Sequence, residues 1–111
     1  MLHVSTSDFR FDTDAEALDY LRGVIETMMT SFGITREEAL GRINVVWSPV
    51  GAVTGPEDLM YHELPVYWAN HFYFGKESCW WLDEDRRQEL GLPPLAPLPY
   101  RPAGRLTGLF R

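Results

Sequence analysis

The strongest structural signal in this sequence is residues 13–33, TDAEALDYLRGVIETMMTSFG. Apolar residues recur through this stretch at intervals of three and four, which places them on one face of an α-helix. These residues are Leu18, Leu21, Ile25, Met28 and Phe32. We therefore predict an amphipathic helix over residues 13–32, with its apolar face buried against the rest of the protein.

Local signals mark both ends of this helix. Thr13 and Glu16 have the spacing of a capping box, in which each side chain accepts a hydrogen bond from the backbone N–H group of the other residue. Gly33 follows the last apolar position and is suited to the left-handed conformation that ends many helices. The sequence thus predicts Thr13 as the N-cap and Gly33 as the stop.

A second helix is predicted over residues 35–42. Thr35 and Glu38 repeat the capping-box spacing, whereas Gly41 weakens the last turn, because glycine costs about 1 kcal/mol relative to alanine inside a helix. Two closely joined helices are typical of a helix-turn-helix, but the second helix is acidic at the end where such a unit contacts bases. This charge argues against DNA binding.

Shorter elements surround these two helices. Three segments favour strands because they alternate in polarity or are rich in β-branched and aromatic residues; they are residues 9–11 (FRF), 43–47 (INVVW) and 78–82 (SCWWL). Three further segments favour helices because each begins at a proline or a capping aspartate; they are residues 56–64, 65–74 and 83–91. For residues 65–74 a buried strand is the alternative, and Gly75 favours the helix because it suits a helix C-terminus.

The predicted fold class is α+β. We expect a single small helix-rich domain over residues 1–91, with a few short strands. Residues 92–111 begin with LPPLAPLPYRP, whose five prolines favour an extended polyproline conformation. We expect them to form a C-terminal arm that packs on the same domain and contacts aromatic rings such as Trp80 or Trp81.

Residues 60–83 contain the single cysteine and two of the three histidines, so they hold a candidate pocket. Its residues are Tyr61, His62, Glu63, Trp68, His71, Cys79 and Trp80. The HExxH zinc motif places its histidines four residues apart, whereas His62 and His71 are nine apart with Pro65 between them. The tryptophans beside Cys79 indicate an apolar setting, which keeps a thiol buried and unreactive. We therefore assign no catalytic residue, metal ligand or cofactor, and interpret the stretch mainly as core plus the groove for the arm.

The net charge of −6 bears on the partners. Residues 1–63 carry 11 acidic and 4 basic side chains, whereas residues 64–111 carry 5 and 6. Nucleic acids and anionic membranes attract basic proteins, so this balance argues against both. A single cysteine cannot form an intramolecular disulfide, and no run of eighteen apolar residues is present. We expect a soluble cytoplasmic protein.

Two functions are compatible with the sequence. The first is a non-catalytic interaction module for a basic protein partner, with the size and charge of acidic inhibitor or immunity proteins. Its candidate interaction face comprises Asp12, Asp14, Glu16, Asp19, Glu26, Glu37 and Glu38. The second is a small-molecule-binding protein or enzyme whose site is the candidate pocket. The lack of catalytic spacing favours the first, and the sequence leaves homo-oligomerisation open.

Overall fold

Helices make up most of the described structure, which covers residues 2–53 and 63–101 in this computed structural model. The α-helices are α1 (Ala15–Phe32), α2 (Arg36–Trp47), α3 (Pro65–Phe74) and α4 (Glu84–Glu89). Two-residue strands β1 (Asp12–Thr13) and β2 (Ala52–Val53) pair in parallel, with Asp12 opposite Ala52. Short 3-10 turns occupy Thr6–Asp8 and Ser48–Val50. The predicted helix-rich character is confirmed, with less strand than expected.

Helix α1 forms where the apolar spacing predicts it, but its N-cap is Asp14. The Asp14 carboxylate accepts a hydrogen bond from the Ala17 N–H group at 2.9 Å. The capping-box prediction for Thr13 is wrong, because that residue is drawn into β1 by its pairing with Val53. At the other end Gly33 has a φ of 67° and donates its N–H to the Met29 carbonyl, as expected of a helix stop.

Helix α2 begins as predicted but continues five residues further. The Thr35 hydroxyl accepts from the Glu38 N–H group at 3.0 Å. The strand prediction for residues 43–47 is wrong: these residues complete α2, in which Ile43 and Trp47 are buried while Val45 is 75% exposed. Burial of two large side chains on one helical face outweighs the weak preference of β-branched residues for strands.

Helix α3 settles the alternative left open for residues 65–74. Pro65 occupies the first turn, where its missing N–H group removes no helical hydrogen bond. Gly75 follows the helix with a φ of 93°, and its N–H donates to the His71 carbonyl. The helical interpretation is therefore confirmed. The start of α3 lies beside α1, where the Tyr20 hydroxyl donates to the Glu63 carbonyl.

Two further strand predictions need correction. Phe9 and Phe11 are buried core residues, and the strand begins one residue after them. Residues 78–82 form an irregular turn rather than a strand, because Arg87 donates to the carbonyls of Ser78 and Cys79 and holds them on the same side. The prediction for residues 56–64 falls largely outside the described residues.

The core lies where α1, α2 and α3 meet. Trp47 is central to it: its ring lies 4.8 Å from that of Phe72 and 5.0 Å from that of Trp68, both edge-on, and 5.8 Å from that of Phe11. Edge-to-face packing of this kind adds to the burial of the rings themselves. The buried apolar residues are Val4, Phe9, Phe11, Ala17, Leu21, Val24, Ile25, Met28, Ala39, Leu40, Ile43, Trp47, Ala69 and Phe72.

Two arginines are buried beside this core. Arg87 is 4% exposed and donates to the Pro93 carbonyl at 2.8 Å, in addition to its bonds to Ser78 and Cys79. Arg42 is 7% exposed, forms an ion pair with Glu38 at 2.8 Å, and donates to the Leu98 carbonyl at 2.7 Å. Both guanidinium groups therefore bind carbonyls of the proline-rich segment. The contact of this segment with Trp80 or Trp81 stays a prediction.

Candidate functional site

Three residues of the candidate pocket meet around a ring that the sequence analysis did not single out. The Tyr67 ring lies 5.1 Å from Trp68, 5.3 Å from Trp80 and 6.1 Å from His71. Tyr67 and His71 are four residues apart on α3, so the helical spacing of residues 65–74 was the signal for this contact. Glu63 is exposed, and Tyr61 and His62 lie outside the described residues.

The surroundings of His71 favour its neutral imidazole form. Burial disfavours its charged form and lowers its pKa below the ordinary value of 6.5, and the nearby Lys76 ammonium lowers it further. Its ring packs edge-on against Trp68 with 5.1 Å between centroids. This environment suits a packed aromatic side chain. The neutral form of His71 carries no positive charge that could activate Cys79.

Stability is expected to fall below pH 6.5 because of His71. Its pKa is lower in the folded protein than in the unfolded chain, so the unfolded chain binds more protons as pH falls below 6.5 and unfolding is favoured. Urea unfolding at pH 7.5 and 5.5 should show this loss in the wild type and a smaller loss in His71→Gln. His3→Gln is the matched control, because His3 is exposed. An equal pH dependence in wild type and His71→Gln would contradict the assignment.

Cys79 is half-buried rather than fully buried, so the expectation of a buried thiol is only partly met. Its φ is 53°, a left-handed backbone conformation that residues other than glycine rarely adopt. The Cys79 carbonyl accepts hydrogen bonds from Arg87 and from the Leu82 N–H group. These hydrogen bonds stabilise the left-handed backbone conformation at Cys79, so the conformation needs no functional explanation.

A cavity of about 520 Å³ lies at the C-terminal end of α3. Among the described residues of the candidate pocket, only His71 lines it. The other lining residues are Val46, Phe74, Gly75, Lys76, Glu77, Ser78 and Leu98. The sequence analysis missed this set because Val46 and Leu98 are distant in the chain from α3.

No three His, Cys, Asp or Glu side chains within residues 2–53 and 63–101 are placed to hold a metal ion together.

In the same part of the chain, no helix has the length and apolarity needed to cross a bilayer.

The seven carboxylates of the candidate interaction face fall into two groups. Helix α1 has 18 residues and is therefore roughly 27 Å long. Glu16 lies in its first turn, whereas Glu37 and Glu38 follow its C-terminal end, at the start of α2. Four members also have structural partners: Asp14 caps α1, and three carboxylates form ion pairs with arginines, which are Asp19 with Arg22, Glu37 with Arg36 and Glu38 with Arg42. Glu16 and the pair Glu37 and Glu38 therefore lie towards opposite ends of α1, and the interaction face itself stays a prediction.

The outer face of α1 carries exposed charges, and exposed apolar residues lie at the start of α3. Asp19 has a side chain 84% exposed, and Glu26, seven residues further on the same face, is also exposed. Gly23 lies between them in the sequence, and a Cβ atom added to it would lie 3.6 Å from the Pro65 side chain. The neighbours of Pro65, which are Leu64 and Val66, are 73% and 49% exposed. Leu64 and Val66 thus flank the point at which Pro65 contacts α1.

Comparisons with known proteins bring no match: no protein-family model, curated protein or solved structure is similar to this chain. The surface itself therefore carries the functional argument.

Proposed function

We propose that this protein is a non-catalytic interaction module that binds a basic protein on the outer face of α1. The observation that carries this proposal is the contact of Pro65 with α1 at Gly23, which is flanked by exposed Leu64 and Val66 on one element and by exposed Asp19 and Glu26 on the other. Exposed apolar side chains surrounded by charged side chains of one sign are typical of a binding surface with an apolar centre and a polar rim. A cytoplasmic location and the exclusion of nucleic acid and membrane partners belong to the same proposal.

The two kinds of side chain contribute differently to such binding. Complete burial of Leu64 by a partner would contribute roughly 1.5–3 kcal/mol. Asp19 and Glu26 would instead steer a basic partner towards the surface and accelerate association. Between residues 12 and 31 the chain carries five acidic side chains and one basic side chain, Arg22, so the field of α1 is strongly negative.

Reversing the charges of Asp19 and Glu26 on α1 should abolish binding of the partner. We expect a bait carrying Asp19→Lys and Glu26→Lys to lose proteins that the wild-type bait retains from a lysate of the source organism. The matched control carries Glu77→Lys and Glu89→Lys, two exposed positions on other elements. Both double variants have a net charge of −2, because each of the two substitutions raises the wild-type net charge of −6 by 2.

The association rate of a retained protein should fall about tenfold with the α1 variant at low salt and remain near wild type with the control. Added salt should reduce the wild-type rate, because exposed charges are screened over about 8–10 Å at moderate ionic strength. Equal retention by both double variants would contradict the proposed surface.

The alternative function, small-molecule binding, is supported by the cavity beside His71. Its apolar walls, Val46, Phe74 and Leu98, together with the Lys76 ammonium, suit a small ligand with an apolar body and an acidic group. The two functions differ in their response to the α1 variant, because a ligand in this cavity does not touch Asp19 or Glu26.

A further inference from the structure

Residues 98–100, Leu-Pro-Tyr, lie in a groove between α2 and the end of α3, where Tyr100 contacts Gly41 and Leu98, which is 39% exposed, contacts Gly75. A Cβ atom added to Gly41 would lie 2.6 Å from the Tyr100 ring, and one added to Gly75 would lie 3.1 Å from Leu98. Any larger residue at Gly41 would therefore displace the tyrosine ring. This contact explains why α2 retains a glycine in its interior despite the cost to the helix.

The groove also binds the backbone of this segment on both sides of Leu98. Pro97 and Pro99 have no N–H group, so Leu98 supplies the single backbone donor of the Pro-Leu-Pro sequence. That N–H donates to the Tyr73 carbonyl at 2.8 Å, while the Leu98 carbonyl accepts from Arg42 at 2.7 Å. The contacts at Leu98 thus satisfy both backbone hydrogen-bonding groups of that residue.

Arg42 connects the backbone contact to the tyrosine. Its guanidinium carbon lies 4.7 Å from the centroid of the Tyr73 ring and 5.4 Å from that of Tyr100. Both distances are within the range of a cation–π interaction. The Tyr100 hydroxyl also donates to the Glu37 carbonyl at 3.4 Å. Side-chain, cation–π and backbone contacts therefore converge on Leu98 and Tyr100 of the bound segment.

The segment is connected to the rest of the protein by a short exposed stretch. Pro93 is held by Arg87, and the next described contact is at Leu98. Residues 94–97 are exposed, and no hydrogen bond among the described residues involves them. Residues 98–100 thus resemble a ligand tethered to its own binding site.

We propose that this groove is a binding site for an extended Leu-Pro-Tyr segment and that it accepts residues 98–100 of a second copy of this chain. The second copy is the occupant whose chemistry is known to fit, because the same three residues fill the groove within one chain. Exchange of a segment between identical chains is a low-cost route to a dimer, since it preserves every contact. This inference concerns α2 and α3 and is independent of the proposed α1 surface.

Tethering determines when exchange occurs. The short connector, residues 94–97, gives the segment an effective concentration on the order of millimolar at its own groove. A second copy at micromolar concentration cannot displace it, so the wild-type protein should remain monomeric there. Removing the intramolecular competitor from one chain should expose the affinity between chains.

The test uses two full-length variants that complement each other. The first, Leu98→Ala with Tyr100→Ala, has a defective segment and an intact groove. The second, Gly41→Leu, has an intact segment and a groove blocked at Tyr100. Each variant alone should be monomeric by analytical ultracentrifugation at submillimolar concentration, whereas their mixture should form a 1:1 heterodimer. A mixture that stays monomeric while circular dichroism shows both variants folded would overturn the proposal.

A peptide measurement keeps the test decisive if a variant folds poorly. A synthetic peptide of residues 92–101 should raise the melting temperature of the Leu98→Ala, Tyr100→Ala variant in a concentration-dependent manner, because it binds only the folded state. The control peptide carries alanine at positions 98 and 100 and should have no effect. Equal effects of the two peptides, or no effect of either, would overturn the proposal.

Discussion

Replacing Arg87 by methionine is expected to destabilise the protein by about 3 kcal/mol. The guanidinium is 4% exposed and donates to the carbonyls of Ser78, Cys79 and Pro93. Methionine keeps much of the apolar stem but leaves part-buried acceptors without this donor, and an unsatisfied buried group costs about 1–3 kcal/mol. The Cys79 carbonyl retains its bond from Leu82, so the loss falls mainly on Ser78 and Pro93.

The adjacent arginine provides a matched control. Arg86 has a side chain 55% exposed and forms a surface ion pair with Glu89 at 3.1 Å. Exposed pairs of this kind contribute about 0–1 kcal/mol. Chemical denaturation of the wild type, Arg87→Met and Arg86→Met should therefore separate the two neighbours clearly. Equal stabilities for the two variants would show that Arg87 does not hold the turn over residues 78–82 in place.

Replacing Ile43 by alanine is expected to cost about 2–5 kcal/mol, whereas Val45→Ala should cost less than about 0.5 kcal/mol. Ile43 is fully buried in the core, while Val45 is 75% exposed on the opposite side of α2. The loss at Ile43 combines the transfer of apolar atoms to water with the cavity left behind. The free energies of unfolding, measured by urea titration, provide the comparison.

This pair of variants also distinguishes the helix from the strand that the residue types favour. In a strand, positions 43, 45 and 47 would share one face, so Ile43 and Val45 would be similarly buried. In a helix they lie about 200° apart, so only Ile43 contacts the core. Comparable losses from the two substitutions would support the strand and contradict the observed extent of α2.

The acidic composition of the α1 region is fixed by the sequence, but its arrangement depends on the fold. The order of the acidic residues predicted one interaction face, and the length of α1 separates Glu37 from Glu16. The apolar neighbours Leu64 and Val66 could not be assigned to this surface from the sequence. They reach it because α3 packs against α1 at Gly23 and Pro65.

The sequence by itself determined the features that depend on near neighbours. The apolar period of α1, the caps at Thr35 and Asp83, and the glycine after α1 all act within about four residues, so the chain specifies them locally. Proline at the first turn of α3 belongs to the same class. For these elements the prediction and the structure agree.

Only the tertiary structure decided the features that depend on distant residues. The stretch INVVW is helical because Trp47 packs against Phe72, 25 residues away, and this burial outweighs a local strand preference. The glycine at position 41 of α2 leaves the space that the Tyr100 ring fills. The stretch SCWWL forms a turn because Arg87 binds its carbonyls. Intrinsic propensities of most residues differ by about 1 kcal/mol or less per residue, whereas burying a large apolar side chain contributes roughly 1.5–3 kcal/mol.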